Sequence, residues 1–169
     1  MKKILPLTIL LMALCSCKTY EVAQDDKAII NKILDDWHKA AAEANFDAYF
    51  APMAEESIFI GTDPTENWNK EAFKTYSKPH FDKGKAWSFT AIERNIFISE
   101  DKKTAWFDEL LDTQMKICRG SGVLVKAGGE WKIAHYVLSI SIPNDNVDEV
   151  VKIKSALDDK ISTDIKAKK

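Results

Sequence analysis

The stretch that most constrains the fold is Arg119 to Pro143, RGSGVLVKAGGEWKIAHYVLSISIP, which reads as two long strands joined by a turn. Val123, Leu124 and Val125 are strand formers, as are Ile133, Tyr136 and Val137. Ala127-Gly128-Gly129 supplies the turn, because glycine accepts the positive φ that a tight hairpin needs. If Lys126 and Lys132 face water, alternation along each strand sets the other faces. Arg119, Ser121, Val123 and Val125 then point inward on the first strand, and Trp131, Ile133, His135, Val137 and Ser139 on the second. That parity requires a three-residue loop with a glycine bulge rather than a plain two-residue turn. The inward set is apolar near the turn and polar at the far end, where Arg119, Ser121, His135 and Ser139 converge. Gly120 and Gly122 weaken the strand there and leave room for another group to approach. An apolar cup with a few polar groups at one end is the form of a small-molecule site.

The first residues are a targeting segment. Lys2 and Lys3 are basic, and Ile4 to Leu14 is apolar but too short to span a membrane. Leu14-Cys15-Ser16-Cys17 resembles the bacterial lipobox. The resemblance implies a leader over residues 1–16, with Cys17 lipidated as the mature N-terminus. It also implies a membrane-anchored lipoprotein of the bacterial cell envelope, in a leaflet left open. An ordinary secretory signal cut nearby is the alternative. Residues 17–25 form the lipidated tether, and Cys118 is then the one cysteine left in the domain, so no disulfide holds it. The formal charge of −2 gives no electrostatic footprint for nucleic acid.

Ile30, Ile33, Leu34, Trp37, Ala41 and Ala44 recur at three- and four-residue steps and predict a helix from about Asp26 to Ala44. Phe46 to Ala51 predicts a second short helix, which Pro52 stops. A strand over Ser57 to Gly61 follows, then a turn at Thr62-Asp63-Pro64. A third helix runs from Lys70 to about Tyr76, with Asn69 as cap and Pro79 as stop. From Trp87 the chain turns to strand: Trp87 to Ser99, then Thr104 to Asp112, then the hairpin. Continuing the parity places Trp106, Asp108 and Leu110 inward and Glu109 outward; a one-residue slip exchanges the two sets. Val147, Val150, Val151, Ile153, Leu157 and Ile161 suggest a final helix in residues 144–169. The order is α+β, with helices on one face of a curved antiparallel sheet.

This order, with FIGTDPTENW after the second helix and EWKIAHYVLS in the last hairpin, resembles the nuclear transport factor 2-like superfamily, and within it the SnoaL-like branch. The resemblance covers residues 26–143. It implies a cone whose sheet wraps the long first helix and leaves a pocket at the open end. Members include ketosteroid isomerases, polyketide cyclases, dehydratases, epoxide hydrolases and many proteins without catalysis. Asp63-Pro64 matches the turn that carries the general base of the isomerases. Trp37 falls where they place an oxyanion-donor tyrosine, and no carboxyl stands at Ser121-Gly122, where they carry a protonated aspartate. His135 and Ser139 are similar to a His-x-x-x-Ser pattern of the association-domain members, which are oligomeric, so a homodimer is expected.

Two functional readings follow. One is a non-catalytic domain that binds a small, partly apolar molecule or pairs with itself. The other is a cofactor-free isomerase, cyclase, dehydratase or hydrolase. In the second, Asp63 or His135 is the base and Arg119 the charge stabiliser, unless Asp63 is only a turn residue. Trp37, Tyr49, Phe59, Trp68 and Trp87 are candidate ligand contacts among the aromatics, and Asp108, Ser121 and Ser139 among the polar residues. The three histidines lie on separate elements without ligand-like spacing, so no metal site is expected. Arg119 and Val123 around Gly120-Ser121-Gly122 exclude a nucleophile elbow, and no phosphate loop or dinucleotide fingerprint occurs. No cofactor is expected.

Overall fold

A computed structural model describes residues 26–168. The leader, Cys17 and the tether lie outside the described residues. Helix α1 occupies residues 26–42. Its stripe of Ile30, Leu34, Trp37, Ala40 and Ala41 is buried, as the helical period requires. Ala44 closes it at φ 53°, with the Asn45 N–H reaching back to the Ala40 carbonyl. The Asn45 side chain then caps α2 (Phe46–Phe50) through the Ala48 N–H. Strands β1 (Met53–Ile60) and β2 (Asn67–Asn69) follow. Asn69 caps α3 (Lys70–Asp82) through the Ala72 N–H. Then come β3 (Phe89–Ile98), β4 (Thr104–Thr113), β5 (Lys116–Ala127) and β6 (Glu130–Ile140), and α4 (Val147–Lys166) ends the fold.

The sheet order is β2-β1-β6-β5-β4-β3. Four of the pairings are antiparallel; β1 runs parallel to β6. No hairpin links those two strands, so nothing local fixes their relative direction. Helix α3 runs past the expected stop, with Pro79 inside it. Proline removes one N–H, but Phe81 gains a buried place against Phe46, Tyr49 and Trp87, which extends the last turn.

The sheet faces are the reverse of the expected ones over most of β4–β6. The turn is the two-residue Gly128-Gly129, both at positive φ, with Ala127 paired to Glu130. Lys126 therefore shares a face with Trp131. Its ammonium lies over the indole, 5.1 Å from the ring centroid, and reaches Asp26 Oδ1 at 2.9 Å, so a lysine on the covered face keeps its charge paired at the rim. Trp131 is buried, as expected, and donates Nε1–H to the same oxygen at 2.9 Å. A bulge then intervenes, since Leu124 faces Ile133 while Val123 faces His135. After it Tyr136 and Leu138 point inward, and His135, Val137 and Ser139 do not. On β5 the inward residues are Cys118, Gly120, Gly122 and Leu124; Arg119, Ser121, Val123 and Val125 face outward. On β4, Glu109 is inward and fully buried, while Trp106, Asp108 and Leu110 face outward.

Candidate functional site

Phe59 at the end of β1 stacks on Phe73 of α3 at 4.0 Å between centroids. Trp68 of β2 stacks on Phe73 and on Tyr76, and Trp87 lies 5.9 Å from Phe73 at 21°. These rings, with Phe89 and Leu138 from the sheet, border a cavity of about 150 Å³. Its polar groups come from Thr62, Glu66, His80 and Gln114. Amphipathic α3 builds this wall: Phe73 faces the core, while Tyr76 and His80, four residues apart, face the mouth.

The expected site residues divide sharply. Phe59, Trp68 and Trp87 border the cavity. Trp37 and Tyr49 stack on each other in the core. Asp63 is exposed, and its Oδ1 accepts from Thr65 N–H at 2.9 Å and Thr65 Oγ1–H at 2.6 Å. Those two hydrogen bonds hold its carboxyl below the usual range, so it remains an ionised turn residue. Glu66, three residues on, is the carboxylate that borders the cavity. Arg119, Asp108, Ser121, His135 and Ser139 do gather, but on the outer face: Asp108 pairs with Ser121, and Arg119 with Ser139.

Behind the cavity wall lies a buried polar network that the sequence reading missed. Glu109 Oε1 accepts from His38 Nε2–H and from the Tyr136 hydroxyl, both at 2.9 Å. Its Oε2 accepts from Arg94 Nε–H at 2.8 Å. Arg94 in turn donates through Nη1 to Asp35 at 2.7 Å and to Asn31. Burial pushes the Glu109 carboxyl up, but His38 and Arg94 outweigh it and leave it below its ordinary value. Burial, with the charge of Glu109, holds the Tyr136 phenol well above its own, so it stays a donor. One aromatic layer separates network and cavity: Phe89 packs on His38 and Phe59 on Tyr136, and both phenylalanines border the cavity. Glu109 has no access to solvent, which fits a structural role rather than one in turnover. The available signal was the cross-strand pair Arg94–Glu109, two opposite charges inside apolar strands.

A larger groove of about 500 Å³ lies by the β5–β6 turn. Its rim charges are already paired, Asp26 with Lys126 and Glu130 with Lys132. Among the described residues no group of three or more His, Cys, Asp or Glu is placed to hold a metal ion.

A curved, unclosed sheet with helices on one face and an aromatic cavity beside β1, β2 and α3 defines a cone of the nuclear transport factor 2-like type. Residues 30–143 match the SnoaL-like domain, and the chain belongs to that family. Among solved structures it is similar to a nuclear transport factor 2-like protein of unknown function from Pseudomonas putida KT2440, at 14% identity. The match covers 73% of this chain and 92% of that one, with a TM-score of 0.61. It is also similar to a proposed scytalone dehydratase from Novosphingobium aromaticivorans DSM 12444, at 13% identity over 73% and 89%, with a TM-score of 0.62. A proposed calcium/calmodulin-dependent kinase II association domain from Exiguobacterium sibiricum 255-15 matches at 16% identity over 70% and 95%, with a TM-score of 0.55. At these identities the likeness concerns the fold. No match is found among curated proteins.

Proposed function

We propose that this protein is an exported, lipid-anchored SnoaL-like domain whose aromatic cavity binds one small, partly apolar molecule. The observation that carries the binding reading is the ring-lined void of about 150 Å³ with Glu66 on its wall. A pocket of that size holds about one benzene ring's worth of ligand, so a single ring fits it better than a fused system. Binding is favoured over turnover because Asp63, the expected base, spends its carboxylate within its own turn, and His135 lies on the opposite face of the sheet. Export and anchoring are supported by Lys2, Lys3, the apolar run and the Leu14–Cys17 lipobox.

Trp68 and Trp87 border the cavity, so ligand entry should change tryptophan emission. Titrating the purified protein with single-ring and fused-ring compounds is expected to give saturable quenching by the former alone. Saturable binding of fused-ring compounds alone would overturn the size argument. Robust turnover of any bound compound would overturn the non-catalytic form of the proposal.

A second reading, self-association, is favoured by the outer face of the sheet. There Phe97 and Trp106 stack at 5.8 Å and are 46% and 47% exposed. The similarity to proposed association domains supports it as well.

A further inference from the structure

We infer that the ligand is a small organic cation, a tertiary or quaternary ammonium group seated among the rings with Glu66 as its counter-charge. The inference rests on the cavity-binding reading and narrows it by charge. The wall is built of π systems: Phe59, Trp68, Phe73, Tyr76, Trp87 and Phe89. Aromatic faces carry negative quadrupole density and attract cations, most strongly from tryptophan. Five of these rings share an orientation. Phe59–Phe73, Trp68–Phe73, Trp68–Tyr76 and Phe73–Trp87 are all within 25° of parallel.

The formal charge of the wall has one sign. Glu66 is a carboxylate, and no lysine or arginine borders the cavity. Its position is fixed: Oε2 accepts from the Asp63 N–H at 3.1 Å. A Cβ on residue 61 would stand 2.1 Å from that oxygen, so glycine at 61 lets the carboxylate sit against the backbone there. Asp63, exposed on the same turn, adds a second negative charge nearby. The Tyr76 phenol registers this field, being raised above its ordinary value by burial and then by the charges of Glu66 and Asp63. An anionic ligand would meet repulsion from this wall. A neutral ligand of the same shape would fill the space and leave the field unused.

Choline and its uncharged isostere 3,3-dimethylbutan-1-ol separate the two cases. Both are titrated into the full chain by calorimetry and by tryptophan emission at low and high salt. Choline is expected to bind at least about tenfold tighter than the isostere, and the advantage should shrink as salt rises. Glu66→Gln, shown by its unfolding transition to be folded, should remove most of that advantage, lowering choline's affinity far more than the isostere's. Trp68→Leu should weaken choline more than the isostere. Equal affinities, or an advantage that survives Glu66→Gln, would overturn the cation assignment while leaving a working cavity. Binding of neither compound, with fused-ring compounds binding instead, would overturn the cavity reading and this assignment with it.

Discussion

At the scale of single residues, Glu109 decides more than any other side chain. A carboxylate with no solvent access persists because His38, Arg94 and Tyr136 satisfy it from three elements. The glycine opposite is part of the same arrangement, since a Cβ on Gly120 would meet the Tyr136 hydroxyl at 2.3 Å and Glu109 at 2.9 Å. Glu109→Gln keeps the volume but removes the buried negative charge that Arg94 and His38 face, leaving Arg94 only the exposed Asp35. It should cost about 3–5 kcal/mol of unfolding free energy, read from urea denaturation at neutral pH. The pH dependence has a definite sign. The folded carboxyl lies below its ordinary value of 4.5, so its contribution is present above that value and is lost as pH falls through the folded one. The gap between wild type and Glu109→Gln should therefore hold at neutral pH and narrow on acidification below about 4.5. A gap that is flat across this range would mean that the carboxylate is not what the network stabilises.

At the scale of elements, the helices were legible in the sequence and the faces of the strands were not. The stripe from Ile30 to Ala41 has one periodic solution, and Asn69 marks a helix start by capping chemistry. In β4 and β5 the two faces carry similar apolar content: Ala105, Phe107 and Leu111 against Trp106 and Leu110, and Cys118 and Leu124 against Val123 and Val125. Alternation alone cannot orient such strands. Lys126 tipped the sequence argument to the wrong side, because a lysine at a rim can share the covered face while its charge meets Asp26. The bulge after Ile133 then moved His135 and Ser139 to the outer face. What they join there is a surface with Phe97, Trp106 and Ile117, each at least 38% exposed, and with Asp108 and Arg119. Such a face suits an isologous contact, in which Asp108 of one copy can meet Arg119 of the other. Sedimentation of the wild type should show a dimer, and Trp106→Asp should shift it to monomer without lowering its melting temperature. A wild type that stays monomeric at high concentration would exclude this face as a self-association surface.

At the scale of the whole molecule, the membrane anchor proposed above has two candidate routes. Among the described residues no helix is long and apolar enough to cross one. Two attachments compete. The first is lipid on Cys17, with residues 18–25 as the spacer. The second is α4, which buries no side chain and exposes Ile153 at 81% and Leu157 at 67%, the pattern of a helix able to lie along an interface. They differ in strength. An amphipathic helix binds reversibly and in competition with salt, whereas two or more acyl chains resist washing. Its near-balanced charges, Lys152, Lys154, Lys160 and Lys166 against Asp148, Glu149, Asp158, Asp159 and Asp164, add no attraction to an anionic surface. The lipid is therefore the stronger candidate. Cys17→Ser should abolish palmitate labelling and move the protein out of the washed membrane fraction, while truncation after Pro143 should leave both unchanged. Retention of label and membrane association by Cys17→Ser would exclude lipidation at that cysteine. Loss of association on truncation alone would transfer the anchor to α4.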